Sequence, residues 1–205
     1  MQFPKLAIVR QSSFRATPWK NGGGITHEAL RMPAGGDDFQ WRVSVAHIDA
    51  SGPFSDFAAY NRKMVLLRGA GIDLRFANGE HRALRQVGEL AEFDGAVSAY
   101  CELVNGPCVD LNLMVEKGLR ADARVARMME SLAVSALGEE TTLVFPLGDP
   151  IVLTVASGEK ATLEPWDLGI VSRCTARLSR IESGLWPAPA FVFLANIGRA
   201  GADPG

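Results

Sequence analysis

Ile72 to Leu84 reads IDLRFANGEHRAL, and Ile151 to Leu163 reads IVLTVASGEKATL. At an offset of 79 residues the two stretches share Ile, Leu, Ala, Gly, Glu and Leu, six identities in thirteen positions. Each is an apolar run, an Asn-Gly or Ser-Gly turn, a Glu and a second run. Such dipeptides accept the positive φ that tight hairpin turns demand, so both stretches read as β-hairpins. Each continues through a polar turn into another apolar stretch, Gly88-Glu89-Leu90 in one copy and Trp166-Asp167-Leu168 in the other. Two similar β-modules in tandem follow from this repeat.

The chain around the repeat is patterned in the same way. Trp41, Val43 and Val45 alternate with Arg42, Ser44 and Ala46. Val97, Ala99, Cys101 and Leu103 do so with Ser98, Tyr100 and Glu102, and Val109, Leu111, Leu113 and Val115 with Asp110, Asn112 and Met114. The 21 Gly and 11 Pro fall between such runs rather than in one linker. Short period-two strands separated by Gly/Pro turns indicate an all-β sandwich or barrel. Arg120 to Leu137 is the exception. It is rich in Ala, Arg, Met, Glu and Leu, and propensity alone makes it a helix, although the surrounding architecture can impose a strand.

With 205 residues the chain is long enough to bury a large core without disulfides or structural metal. The net charge of −2 argues against non-specific nucleic-acid binding, which needs a basic excess. The three cysteines have no metal-type spacing and read as reduced thiols. Met1 to Arg10 has no signal-like apolar core, and no apolar run approaches the ~18 residues of a membrane helix. A cytoplasmic protein with no membrane partner is therefore expected.

Familiar catalytic signatures are missing. There is no Gly-x-Ser-x-Gly elbow, Walker loop or dinucleotide fingerprint. The histidines are His27, His47 and His81, with no His-x-His pair, and Arg31 stands where an HExxH helix would place its second His. A metal site needs three or four convergent ligands, so neither metal nor other cofactor is expected, and His47 and His81 read as strand-edge or turn residues. Gly22-Gly23-Gly24 is either a flexible turn or a backbone nest for an anion.

Four polar-aromatic clusters remain: Trp19 to Glu28 (WKNGGGITHE), Trp41 to Ala46 (WRVSVA), Gly52 to Phe57 (GPFSDF) with the later Asn61-Arg62, and Asp110 to Met114 (DLNLM). On strand spacing, Thr26 and Glu28 share a face, as do Arg42 and Ser44, and Asp110 and Asn112. These faces either meet solvent or line the lumen of a barrel as a ligand cavity.

The four ordered motifs resemble the HutD/Ves family across nearly the whole chain, most densely up to Met114. The resemblance implies a bicupin, two tandem cupin-like β-sandwich or barrel modules, with Arg120 to Leu137 largely β. It implies an N-terminal module over residues 1–118 that carries the polar motifs, a C-terminal module over 119–198, and a flexible tail over 199–205. It also implies a link to histidine utilisation and a non-catalytic or regulatory small-molecule binder. Asn61-Arg62 stands where many relatives look like Asp-Arg. The motif positions are Trp19, Asn21, Gly24, Thr26, Glu28, Trp41, Arg42, Ser44, Phe54, Ser55, Arg62, Asp110, Asn112 and Met114, of which Gly24, Phe54 and Met114 read as structural.

Two functional readings follow. In the first, the chain binds a small acidic metabolite, such as urocanate or N-formylglutamate, through Trp19, Asn21, Thr26, Glu28, Arg42, Ser44, Arg62, Asp110 and Asn112. Arg42 takes the carboxylate with Arg62 as second cation. In the second, the chain is a metal-independent hydrolase or isomerase with Glu28, Asp110 and His27 as acid/base candidates. A homodimer is compatible with the sequence but not specified by it.

Overall fold

The computed structural model describes residues 3–36, 38–181 and 190–199, without the side chains of 137–139. The chain divides into two compact units, Phe14–Lys117 and a second made of Met1–Ser13 with Gly118–Gly205. The strands are β1 (Leu6–Val9), β2 (Arg15–Pro18), β3 (Gly24–Met32), β4 (Trp41–Ile48), β5 (Gly52–Pro53), β6 (Tyr60–Arg68), β7 (Ile72–Phe76), β8 (His81–Leu84), β9 (Leu90–Asp94), β10 (Ala99–Leu103) and β11 (Cys108–Glu116). They continue with β12 (Leu119–Met128), β13 (Ser131–Pro146), β14 (Ile151–Val155), β15 (Lys160–Leu163), β16 (Leu168–Arg180) and β17 (Ala190–Arg199). One 3-10 turn, Gln11–Ser13, is the helical element among the described residues, and no helix there is long and apolar enough to cross a membrane.

The repeat is reproduced to the residue. β7 pairs with β8 from Ile72↔Leu84 to Arg75↔His81, and β14 with β15 from Ile151↔Leu163 to Thr154↔Lys160. Gly79 and Gly158 occupy the same turn position with φ of 85° and 90°, where a side chain is strained. Both hairpins bury their alternate apolar residues, Ile72 and Leu74 in one and Ile151 and Leu153 in the other.

In the Phe14–Lys117 unit, a six-stranded sheet of order β2-β3-β4-β11-β6-β9 faces a four-stranded sheet of order β5-β10-β7-β8. One core joins them: Ile48, Met64, Leu66, Ala91 and Cys108 from the first, Ile72, Leu74, Phe76, Leu84, Ala99 and Cys101 from the second. The inward face of the larger sheet follows from register. Ile48, Ala46, Ser44 and Arg42 on β4 stand opposite Cys108, Asp110, Asn112 and Met114 on β11. These in turn stand beside Leu66, Met64 and Arg62 on β6. The lumen is therefore aliphatic at one end and polar at the other.

The second unit is a seven-stranded sheet of order β12-β17-β13-β16-β14-β15, with β1 also on β16. Its core is aliphatic, including Val134, Val144, Leu153, Leu163, Leu178 and Leu194. β1 pairs with β16 from Leu6↔Val171 to Val9↔Leu168, so Leu6–Val9 belongs with the C-terminal strands although it precedes the N-terminal unit in sequence. The helix that propensity gives for Arg120 to Leu137 does not form. β12 runs ten residues in register with β17, burying Leu119, Ala121, Ala123 and Val125 partly while Arg120, Asp122 and Arg124 stay exposed. That is period two, and cross-strand pairing overrides the intrinsic helix preference of these residues. Of the tail expected over 199–205, residues 200–205 lie outside the described residues.

Candidate functional site

The polar end of the lumen in the Phe14–Lys117 unit is a cavity of about 580 Å³, within the range of small-molecule sites. Four adjacent strands supply one wall: Thr26, Glu28 and Arg31 from β3, Arg42 and Ser44 from β4, Asp110 and Asn112 from β11, and Arg62 from β6. Thr17, Pro18, Trp19, Lys20 and Asn21, with Pro53, Phe54, Ser55 and Phe57, and Ala46 of β4, contribute the rest. All nine residues proposed from sequence line this one space.

His27 does not join them. It pairs with Val45 on the opposite face of β3, its ring 5.1 Å from that of His47, and so is no acid/base partner for the cavity. Trp41 is also on the far face of its strand, buried at 4% exposure, and acts as a core aromatic. Trp19 belongs to the cavity: its Nε1 donates to Thr26 Oγ1 at 2.8 Å, and its ring meets Phe54 edge-on at 5.9 Å.

The triple glycine is a turn and not an anion nest. The Gly22 N–H donates to the Trp19 carbonyl and the Gly23 N–H to Asn21 Oδ1, so neither is free. Gly24 is structural, because a Cβ there would sit 2.3 Å from the His47 carbonyl oxygen. Met114 is fully buried and its Sδ accepts from Arg42 Nη2 at 2.9 Å. Phe54 packs into the core and lines the cavity as well.

Charge is distributed unevenly across the site. Burial would raise the Glu28 pKa, but Arg31, then Arg15 and Arg42, outweigh it and hold it below the usual value. Arg31 makes the dominant contact, with Nε 2.9 Å from Oε1 and Nη2 2.5 Å from Oε2. Arg42 bonds no carboxylate among the described residues. Its guanidinium lies 5.0 Å from the Phe39 ring centroid and 5.3 Å from that of Phe57, and its Nε has no partner. Arg62 is 6% exposed and ringed by Phe54, Phe57 and Phe93 at 5.3, 5.7 and 5.0 Å, again with Nε unpartnered. Burial pulls its pKa down to about 10, so it stays cationic at neutral pH.

Asp110 is the opposite case. It is 1% exposed, and among the described residues neither carboxylate oxygen has a hydrogen-bond partner. Burial pushes its pKa up to about 7, with Arg62 and the residue's own backbone N–H pulling the other way. The Oδ1 of Asn112 is likewise unpartnered. Among the described residues, no three His, Cys, Asp or Glu side chains gather to hold a metal ion. Cys101, Cys108 and Cys174 are free thiols, and burial pushes that of Cys101 up to about 12.

Sequence reading missed Arg31 as a cavity residue. Counting by two from Thr26 and Glu28 puts Leu30 inward and Arg31 outward. A β-bulge between Glu28 and Leu30 leaves Ala29 unpaired, so Arg31 instead pairs with Arg42 on the lumenal face. Phe57 belonged to a quoted motif, but its position between two guanidiniums depends on the turn after β5 and has no signal in strand periodicity.

Residues 11–185 match the sequence model of the HutD family. A Pseudomonas putida protein, named as an uncharacterized 21.2 kDa protein in the hutC 3' region, is 39% identical over 111 residues. The match covers 54% of this chain and 58% of that relative's length. Protein Ves of Escherichia fergusonii is 30% identical over 140 residues, covering 66% of this chain and 73% of that protein. A conserved protein of unknown function from Pseudomonas aeruginosa PAO1 superposes with a TM-score of 0.85 at 30% identity, over 95% of this chain and 99% of that one. HutD from Pseudomonas fluorescens SBW25, in a formate condition, gives 0.77 at 28%, over 96% and 100%. Bacillus subtilis oxalate decarboxylase gives 0.64 at 8% identity, over 97% and 78%, a likeness of fold alone. The architecture is thus the cupin fold in two tandem modules, and the chain belongs to the HutD family.

Proposed function

We propose that this chain is a small-molecule binding or regulatory protein that holds a small acidic metabolite of histidine degradation in the N-terminal cavity. Urocanate and N-formylglutamate are the candidates. One observation carries the reading: Arg42 and Arg62 both enter the cavity with no carboxylate among the described residues bonded to them, while Glu28 is committed to Arg31. The cavity is therefore net cationic, and a ligand carboxylate is the group that completes it. A carboxylate held by a guanidinium is charge-assisted and directional, and the desolvated setting keeps the contact strong against bulk screening. The histidine-pathway link rests on the relatives' names, one placed beside hutC and one called HutD.

A thermal-shift screen of histidine-degradation intermediates tests this. At a hundredfold excess over Kd a true ligand stabilises by about 2.7 kcal/mol. Arg42→Ala should weaken binding by about 2–5 kcal/mol and leave the unliganded Tm nearly unchanged. A strongly lowered unliganded Tm with normal affinity would make Arg42 a strut instead.

A second reading has one observation in its favour. A buried carboxyl with a pKa about 7 is suited to proton transfer at neutral pH. A metal-independent hydrolase or isomerase would use Asp110 in that way, and product formation from a bound intermediate would establish it.

A further inference from the structure

The unpartnered polar atoms of the cavity fall into two chemically opposite sets. Arg42 Nε and Arg62 Nε are donors, whereas Asp110 Oδ1, Asp110 Oδ2 and Asn112 Oδ1 are acceptors. The donors and acceptors do not bond one another, although Arg62 is close enough to Asp110 to act on it electrostatically. A ligand that offers acceptors alone completes the arginines and leaves three buried acceptors facing its own lone pairs. Each such atom costs about as much as a lost hydrogen bond or more.

The strands around Asp110 explain why the protein does not satisfy it. Its cross-strand neighbours are Ala46 on β4 and Leu66 on β6. Neither side chain has a donor. Thr26, which faces Ala46 from β3, accepts the Trp19 N–H at its hydroxyl oxygen and keeps its own O–H, but no bond from it reaches Asp110. Asn112 lies between Ser44 and Met64, two residues along the same face of β11. That spacing puts the acceptors of Asp110 and Asn112 about 7 Å apart along the strand, a short wall that points into the cavity from one side. A β-bulge at Leu67 of β6, opposite Val109 and Asp110, adjusts the register at this wall.

We propose that Asp110 and Asn112 form an acceptor subsite, so that the ligand is a carboxylate that also carries an N–H donor, as a secondary amide or a ring N–H provides. This rests on the carboxylate reading above and adds the second half of the ligand. The carboxylate lies at the arginines, and the N–H lies at Asp110. Specificity against plain mono- and dicarboxylates then comes from the carboxylate of Asp110, which repels a second anionic head and accepts a proton donor.

Matched pairs of acids test the subsite by titration calorimetry at pH 8, above the raised pKa of Asp110. The first pair is 2-acetamidoacetate and 4-oxopentanoate, which differ by N–H in place of CH2. Two further pairs lengthen the chain between that group and the carboxylate by one and two carbons. At one length or more the amide should bind about tenfold or more tightly than its ketone partner, in line with a hydrogen bond to a charged group. In Asp110→Leu the preference should vanish while the ketone acids bind at least as well as before. If amide and ketone bind alike at every length, the subsite is wrong and the carboxylate reading stands. If no acid of either series binds, the carboxylate reading fails and the subsite with it.

Discussion

A carboxyl group removed from water and given no partner favours its neutral form, and Asp110 is in that position. Against burial act Arg62 from β6 and the residue's own backbone N–H, with Arg42 on β4 acting in turn on Arg62, while Asp110 itself helps to raise the Cys101 thiol on β10. Its folded pKa of about 7 lies above the ordinary 3.8. Between those values the folded chain holds a proton that the unfolded chain has lost, so stability falls as pH rises through the window. Asp110→Asn removes that dependence. Its unliganded Tm relative to the parent should rise from pH 4 to pH 8, by the equivalent of roughly 2–4 kcal/mol. A difference that is flat across that range would show that Asp110 ionises freely. Glu28 has the opposite sign. Its lowered pKa adds stability that is present above the ordinary carboxylate value and lost as pH falls through the folded one.

The strands decide which of these groups meet. Alternation read from sequence puts Arg42 with Ser44 and Asp110 with Asn112, and register then sets both pairs side by side on adjacent strands. That much was legible because period two is a property of the backbone and both strands run without interruption over these residues. Arg31 was not legible, since one extra residue at the β3 bulge reverses every face after it. The helix preference of Arg120 to Leu137 also misled, because propensity is local and a ten-residue ladder with β17 is not. The N-terminal strand was unreadable for the same reason: four residues, Leu6–Val9, find their partner more than 150 positions away on β16. Close approach of β3 to β4 gives an element-scale prediction. A Cβ at Gly24 would lie 2.3 Å from the His47 carbonyl and 3.2 Å from the Trp19 ring, and the carbonyl is backbone that cannot swing aside. Gly24→Ala should therefore destabilise by more than about 2 kcal/mol and displace Trp19 from Thr26, seen as a lower Tm and altered tryptophan fluorescence. An unchanged Tm would mean that β3 shifts without cost.

At the scale of the whole chain, one repeat has been put to two uses. The equivalent hairpins have the same register and the same turn glycine, yet the N-terminal lumen opens into a polar cavity while the core of the other unit is filled by aliphatic side chains. Buried aliphatic packing contributes to stability in proportion to the area removed from water, whereas buried unpartnered charge opposes folding. Stability and recognition should therefore separate between the two. Leu153 is fully buried in the C-terminal core, and Leu153→Ala deletes methyl groups with no polar consequence. It should cost about 2–5 kcal/mol and lower the Tm by several degrees, while carboxylate affinity measured well below that Tm stays within about twofold of the parent. Arg42→Ala should give the reverse pattern, weak binding with an almost unchanged Tm. Chemical denaturation and calorimetric titration of both variants check the two halves together. If Leu153→Ala weakens binding as strongly as Arg42→Ala does, the aliphatic core supports recognition as well as stability, and the separation of roles is wrong.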